Sequence, residues 1–206
     1  MREKFIKRLL ALAAKKRSWI SRLLGIFSVT LNFLVIIPWL AVRLAGKISM
    51  PFPPLVPPAI RPSVALISVS FGIFWLVWAT WAQLAIGGGT PNIVAPPVRL
   101  VIIGPYRLCR NPIQLGTSFY YHGVLTHFSG LLAGLALFVI SQVVASLYHR
   151  LVEEKELVRR FGREYERYRR ITPFIIPRFR RVSEQEDQEL AGDGHQDQGH
   201  GIDRGV

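Results

Sequence analysis

Two groups of polar residues could carry chemistry in this otherwise apolar chain. The first lies in segment 104–116, which contains Arg107 and Arg110 and is interrupted by two prolines. The second is the adjacent pair Glu153 and Glu154. Guanidinium groups at membrane depth are tolerated where protein or a water-filled cavity surrounds them, so an arginine-bearing break before a helix is a candidate site. Adjacent carboxylates repel each other, so each is stabilised by a nearby cation or ammonium group. Spacing alone leaves open a solvated acidic pair as the alternative.

The composition is typical of a membrane protein. Half of the 206 residues are hydrophobic, and the charges are clustered rather than interspersed. The formal net charge is +13, but the basic residues flank apolar runs. Anionic lipid headgroups are therefore the expected partner of the basic arms, and no nucleic acid is expected. The single cysteine, Cys109, has no adjacent histidine or acid, and we interpret it as a small apolar filler.

Four apolar stretches predict membrane-spanning helices, because each is about long enough to cross a hydrocarbon core of roughly 30 Å. They cover residues 20–42, 64–86, 113–127 and 131–148. The last two are separated only by residues 128–130 and predict a helical hairpin. Small residues that would let these helices approach closely are Gly116, Gly123, Gly130 and Gly134. The predicted fold class is an all-α, polytopic membrane bundle.

The connections and ends have their own signatures. Residues 43–63 contain six prolines and predict an extended loop, and Gly87–Gly89 predict the end of the second helix, before a loop with a short extended piece at 99–103. Three tryptophans at three-residue spacing favour helix packing or a lipid anchor over a substrate cage: Trp75, Trp78 and Trp81. Pro38 is expected to kink the first span.

Four units follow along the chain. Residues 1–19 predict a basic amphipathic arm, residues 20–86 the first two spans, residues 87–181 the region with the candidate site, and residues 182–206 an acidic, disordered tail without a metal site. Within the third unit, residues 149–170 are predicted to continue the last helix into water. Its apolar stripe is Leu157, Phe161, Tyr165 and Tyr168, and its i,i+4 ion pairs are Glu156/Arg160 and Glu166/Arg170.

The distribution of basic residues predicts the orientation. Eight lysines and arginines lie in the first 22 residues and eleven between Arg150 and Arg181, against three in the proline-rich loop. The positive-inside rule then places both termini in the cytoplasm, which requires an even number of spans. The two polar groups would share the cytosolic face.

The same residues resemble a known group of enzymes, the membrane-embedded isoprenylcysteine carboxyl methyltransferase and phospholipid methyltransferase superfamily. The resemblance covers about residues 87–177. The matching residues are Gly104-Pro105-Tyr106-Arg107, Arg110-Asn111-Pro112, Leu115-Gly116, Glu153-Glu154, Leu157, Phe161-Gly162, Tyr165, Tyr168 and Pro177. The superfamily often has histidine at the position of Asn111 and tyrosine at that of Gln114.

The resemblance implies S-adenosylmethionine as the methyl donor, in a cytosol-facing pocket that a lipid-like acceptor reaches sideways from the bilayer. The acceptor would be an isoprenylcysteine carboxylate or a phospholipid amine. If it is an amine, a general base is needed, and Glu153 or Glu154 would be the candidates. By similarity, the catalytic residues would be Arg110, Asn111 and Glu154. The donor-binding residues would be Tyr106, Arg107, Arg110, Asn111, Pro112, Gln114, Gly116, Glu153, Glu154, Tyr165 and Tyr168.

Two alternatives remain at this point. One is a sterol-reductase-like membrane oxidoreductase that binds a nicotinamide cofactor, although the Arg-Asn-Pro segment combined with paired glutamates counts against it. The other is a non-catalytic membrane scaffold of the same fold, which the presence of Asn111 and Gln114 leaves possible.

Overall fold

The computed structural model describes residues 27–28, 30–47, 55–88 and 98–179. Within these ranges the secondary structure is helical and contains no β-strand. The helices are α1 (Ile37–Ala45), α2 (Arg61–Ala85), α3 (Pro105–Leu108), α4 (Pro112–Ser129), α5 (Leu131–Tyr148), α6 (Glu154–Phe161) and α7 (Arg163–Ile171). A π-helical stretch, Leu31–Ile36, precedes α1, and another, His149–Glu153, joins α5 to α6. The all-α class is confirmed.

Two helices in the described ranges are long and apolar enough to cross a membrane: α2 and the continuous helix Leu131–Phe161. The predicted third span corresponds to α4, whose buried face includes the polar residues Gln114, Ser118, His122 and Thr126. The described part of the predicted first span, Leu31–Ala45, is shorter. Four spans therefore stay a prediction. The predicted arm at 1–19 and tail at 182–206 lie outside the described residues.

Helix α4 lies at the centre of the bundle, between α2 and α5. Its contact with α2 is close because glycines on both helices face backbone: a Cβ on Gly116 would lie 2.8 Å from the Gly72 carbonyl oxygen, and one on Gly123 would lie 2.8 Å from that of Ala65. The predicted hairpin is present, and Gly130 makes its turn at φ +96°. Side-chain bonds add to this packing, with His122 Nδ1 2.9 Å from Ser68 Oγ and Ser141 donating to Ser118 over 2.8 Å.

Large apolar side chains cover the outward faces of α2 and α5. They include Leu66, Ile67, Phe74 and Val77 on α2, and Val139, Ile140, Val143, Val144 and Leu147 on α5. The tryptophan stripe is divided between two environments, because Trp75 is buried against Cys109 and Leu115 while Trp81 is exposed. Such surfaces suit hydrocarbon rather than water.

The structure corrects several boundaries. Helix α2 begins at Arg61, inside the predicted loop, because Pro62 lies in its first turn, where no amide donor is needed. Residues 99–103 form neither a helix nor a strand, and Val98 N, just before them, donates to Gly87 O over 2.7 Å. The amphipathic helix predicted at 149–170 is broken at Gly162, which has φ +53°. Glu156 and Arg160 do form the expected pair, at 2.8 Å.

Candidate functional site

The arginine-bearing segment is a pair of short turns between α2 and α4. Gly104 has φ +63°, which favours glycine, and Pro105 and Pro112 each occupy the first turn of a helix. Between these helices Cys109 is extended and fully buried against Trp75 and Leu115. This buried anchor fixes the backbone on the N-terminal side of Arg110.

Arg110 meets the distant glutamate pair directly. Its Nη1 contacts Oε1 of Glu154, and the two side chains are only 13% and 16% exposed. The second carboxylate oxygen of Glu154 lies 3.9 Å from Nη1 of Arg169, on α7. Arg110 Nε is buried and has no hydrogen-bond partner among the described residues. The guanidinium therefore contacts Glu154 through Nη1, while its Nε–H remains available to donate to a ligand.

Glu153 has a different partner. Its Oε2 contacts Nδ1 of His149, one turn earlier on the same helix. The His149 side chain is 19% exposed and that of Glu153 is 39% exposed. The two adjacent glutamates thus contact different side chains, Glu154 contacting Arg110 and Glu153 contacting His149.

Residues 172–178, here called the C-terminal strap, cross over the arginine-bearing segment. Three hydrogen bonds join the strap to that segment: Arg110 N to Pro173 O at 2.9 Å, Asn111 Nδ2 to Phe174 O at 2.9 Å, and Arg178 N to Leu108 O at 3.0 Å. The Phe174 ring lies 5.4 Å from the Arg110 guanidinium and 4.8 Å from that of Arg150. The strap therefore covers the site with an aromatic ring between two cations.

Three tyrosines surround this cluster. The Tyr168 hydroxyl donates to the Tyr106 carbonyl oxygen over 2.7 Å, which ties α7 to α3. Burial raises the pKa of Tyr165 to about 12, with the Glu154 charge adding to the increase and Arg110 opposing it. The pKa values of Tyr106 and Tyr168 are also well above the usual range, chiefly because both are buried. A side-chain hydrogen bond with Gln83 opposes part of the increase in the pKa of Tyr106.

Gln114 lies one turn into α4 and faces α5. Its Nε2 donates to Gln142 Oε1 over 2.6 Å and lies 3.2 Å from Ser146 Oγ. Its own Oε1 is buried and accepts no hydrogen bond from any described residue. A buried donor or acceptor without a partner is costly, so Gln114 Oε1, an acceptor, and Arg110 Nε, a donor, both suit a polar ligand.

A family model described as phospholipid methyltransferase matches residues 60–164, just over half of the chain. The chain belongs to the phospholipid methyltransferase family. Membership confirms the resemblance derived from the motifs and, with the two apolar helices, indicates a membrane methyltransferase. Searches of curated proteins and of solved structures found no match. No observation supports the sterol-reductase-like or the scaffold alternative.

The family match includes Arg110, Asn111, Glu153 and Glu154 and ends just before Tyr165, so Tyr165, Tyr168 and the strap complete the site from beyond it. The structure brings most of the predicted site residues together. Gly116 is an exception, because it lies in the contact with α2. The close approach of the two helices is enough to explain a glycine at this position. Arg107 is exposed at the end of α3, and Pro112 is buried where it begins α4.

Several residues at the site were not predicted from the sequence. A polar stripe runs along the long helix, with its members about one turn apart: Gln142, Ser146, His149 and Glu153. Polar residues at this spacing in an apolar run could have indicated these site residues from the sequence. Phe174 and Arg169 had no such signal, since only the fold brings them to Arg110 and Glu154.

Proposed function

We propose that this protein is an integral membrane methyltransferase that moves a methyl group from S-adenosylmethionine to a lipid acceptor at the cytosolic face. The observation that supports it most is the contact of Arg110 with Glu154, in which Arg110 Nε remains buried and without a partner among the described residues. Arg110 and Glu154 are 44 positions apart in the chain, and their contact leaves each with hydrogen-bonding capacity for a ligand.

The residues present fit this donor, whose amino-acid end carries a carboxylate and an ammonium group. Arg110 would hold the carboxylate, because a guanidinium offers several donors in a fixed plane. Glu154 would hold the ammonium group. Asn111 positions the strap through its bond to Phe174.

When bound, the donor would supply an electrophilic methyl group on a positively charged sulfur. What the protein contributes is orientation and the exclusion of water, because charge is lost as the methyl group moves and a dry, ordered pocket favours that change. Tyr106, Tyr165 and Tyr168 are buried and would line such a pocket. The strap would close it on one side.

The family description favours a phospholipid amine over an isoprenylcysteine carboxylate as the acceptor. Either would approach through the membrane, along the outward apolar faces of α2 and α5. The cytosolic placement rests on the basic residues around α6 and α7, which suit the anionic inner leaflet.

Donor binding to the purified protein in lipid nanodiscs tests the proposal. We expect saturable binding of S-adenosylmethionine by calorimetry, and at least a tenfold weaker affinity for Glu154→Gln, which corresponds to about 1.4 kcal/mol. The matched control is Glu164→Gln, an exposed glutamate in the first turn of α7, which should bind as the wild type does.

Transfer of a labelled methyl group to nanodiscs that contain phosphatidylethanolamine tests the acceptor. Labelled phospholipid is the expected product, whereas a labelled prenylcysteine ester would move the acceptor to the carboxylate class. Absence of donor binding, or an unchanged affinity in Glu154→Gln, would overturn the proposal. Binding of a nicotinamide cofactor instead would favour the reductase alternative.

A further inference from the structure

We propose that His149, oriented by Glu153, is the general base that takes the proton from the ammonium group of the lipid acceptor. This inference rests on the proposed function and on an amine as acceptor. A primary ammonium group is protonated at neutral pH, since its pKa is near that of lysine, about 10.4. It has no lone pair to attack with until a proton has left, so a positioned base is required.

Glu154 is poorly placed to be this base. One of its carboxylate oxygens contacts Arg110, and the other lies 3.9 Å from Arg169. Both oxygens therefore face guanidinium groups, which favour the carboxylate as an ionic partner. In the proposed function this carboxylate is also the one that receives the donor's ammonium group, which leaves it no role in deprotonating the acceptor.

The contact with Glu153 gives His149 the arrangement of a general base. A neutral imidazole that donates from Nδ1 to a carboxylate has its lone pair on Nε2, and the same carboxylate stabilises the imidazolium that forms after protonation. His149 Nδ1 is the atom that faces Glu153 Oε2. Nε2 is thus the nitrogen left for an external proton.

His149 also lies beside the donor site. Its ring is 6.5 Å from that of Phe174, at an interplanar angle of 74°, and the Arg110 guanidinium lies over the same Phe174 ring. One aromatic side chain thus contacts both the proposed base and the proposed donor-binding arginine. The charged groups that face His149 are Glu153 from its own helix and, across Phe174, Arg110 and Arg150.

A buried acceptor atom indicates where the lipid amine would lie. Gln142, Ser146, His149 and Glu153 form one polar stripe on the continuous helix, and Gln114 packs against the first two of them. Gln114 is only 6% exposed, and its buried Oε1 lacks a donor within the part of the chain that is described. An N–H of the lipid amine would satisfy it and place that nitrogen beside the stripe.

The proposed sequence of bonds is balanced. An N–H bond of the acceptor breaks and an Nε2–H bond forms on His149, leaving a neutral amine. The nitrogen lone pair then forms the bond to the methyl carbon as the carbon–sulfur bond breaks, and that electron pair stays on sulfur. The imidazolium is held by Glu153, whose side chain is 39% exposed, so the proton can pass to water.

His149→Gln and Glu153→Gln test this role, with His127→Gln, an exposed histidine at the end of α4, as the matched control. We expect donor affinity within twofold of wild type in His149→Gln and in His127→Gln. The methyl-transfer rate should fall about 100-fold in His149→Gln, a typical general-base contribution, and recover in part with added imidazole. The loss of rate on acidification that protonation of the base would cause should be absent from this variant.

Nitrogen NMR of histidine-labelled protein supplies a readout that does not depend on turnover. We expect a His149 signal with the proton on Nδ1, and a change of tautomer in Glu153→Gln. A His149→Gln rate within threefold of wild type with the same pH profile, or a mixed tautomer in the wild type, would overturn the base role alone. Wild-type protein that binds no donor would overturn the proposed function and, with it, this inference.

Discussion

Burial determines the chemistry of Cys109. The thiol is completely buried, and this raises its pKa from 9.0 to about 12, with a backbone hydrogen bond at Asn111 opposing the shift. The folded chain therefore keeps the proton that the unfolded chain releases near pH 9. The resulting stabilisation is complete below about pH 9 and is lost as the pH rises towards 12. We expect the thermal midpoint in detergent to fall over this range, and to fall less steeply in Cys109→Ala.

Alkylation provides the control for that measurement. Native protein should not react with N-ethylmaleimide at pH 7.5, where almost no thiolate is present, and should react fully once denatured. A reactive thiol in the folded protein would show that Cys109 is a functional nucleophile rather than a core residue.

The planar guanidinium of Arg110 should not be replaceable by an ammonium group. Nη1 is engaged by Glu154, and Nε is a separate buried donor without a partner in the described ranges. A lysine side chain has a single nitrogen, so it cannot contact Glu154 and donate to a ligand from two separate positions as a guanidinium does. We expect Arg110→Lys to weaken S-adenosylmethionine binding at least tenfold in a calorimetric titration. Arg163→Lys, on the exposed surface of α7, should leave it unchanged, and equal affinities for the two variants would argue against a role in donor binding.

At the scale of elements, the α2–α4 contact should tolerate no added side chain. A Cβ at position 116 would lie 2.8 Å from Gly72 O and 3.0 Å from Leu76 N, and neither backbone atom can move without moving a helix. Gly116→Ala should therefore lower stability by about 1–3 kcal/mol, as overpacking does. The measurement is denaturant unfolding in mixed micelles. The control is Gly46→Ala, because the nearest atom to a Cβ at position 46 is 3.5 Å away, an ordinary van der Waals contact.

The same variant separates helix packing from donor binding. If Gly116 only packs, donor affinity per folded molecule should stay within about twofold of wild type. A loss of affinity without a loss of stability would instead place Gly116 in the donor site, as the superfamily resemblance implied.

The strap should be loosened by removal of a single side-chain amide. Asn111 Nδ2 supplies one of the three bonds that join the strap to the arginine-bearing segment, to Phe174 O, and the other two come from backbone groups. A lost hydrogen bond of this kind costs about 1 kcal/mol. Asn111→Ala should therefore increase hydrogen exchange in residues 172–178 about fivefold by mass spectrometry. Thr117→Val, which removes only a bond within α4 to Ile113 O, should leave exchange in the strap unchanged.

The sequence predicted the elements better than the site. Hydrophobic runs and glycines located α2, α4 and α5 to within a few residues, because these signals are local. The π-helical stretch at His149–Glu153 and the path of the strap depend on contacts between segments far apart in the chain. Motifs identified Arg110 and Glu154 but could not show that Glu153 pairs with His149.

At the scale of the whole molecule, charged and apolar residues are segregated along the bundle axis. The end with the hairpin turn carries His127 and Phe128 at its surface. The opposite end carries Arg110, the glutamate pair and the arginine-rich helices α6 and α7. Two helices between these ends are apolar enough to cross a membrane. We therefore expect the site to belong to one aqueous face, and the basic residues there predict that this face is cytosolic.

Cysteine labelling of intact cells tests this orientation. His127→Cys and Arg163→Cys introduce exposed thiols at the two ends, and wild type serves as background because Cys109 is buried. A membrane-impermeant maleimide should label position 127 in intact cells and position 163 only after permeabilisation. Labelling of position 163 alone in intact cells would place the site outside, where cytosolic S-adenosylmethionine cannot reach it. Labelling of both positions without permeabilisation would show that the helices between them do not cross the bilayer.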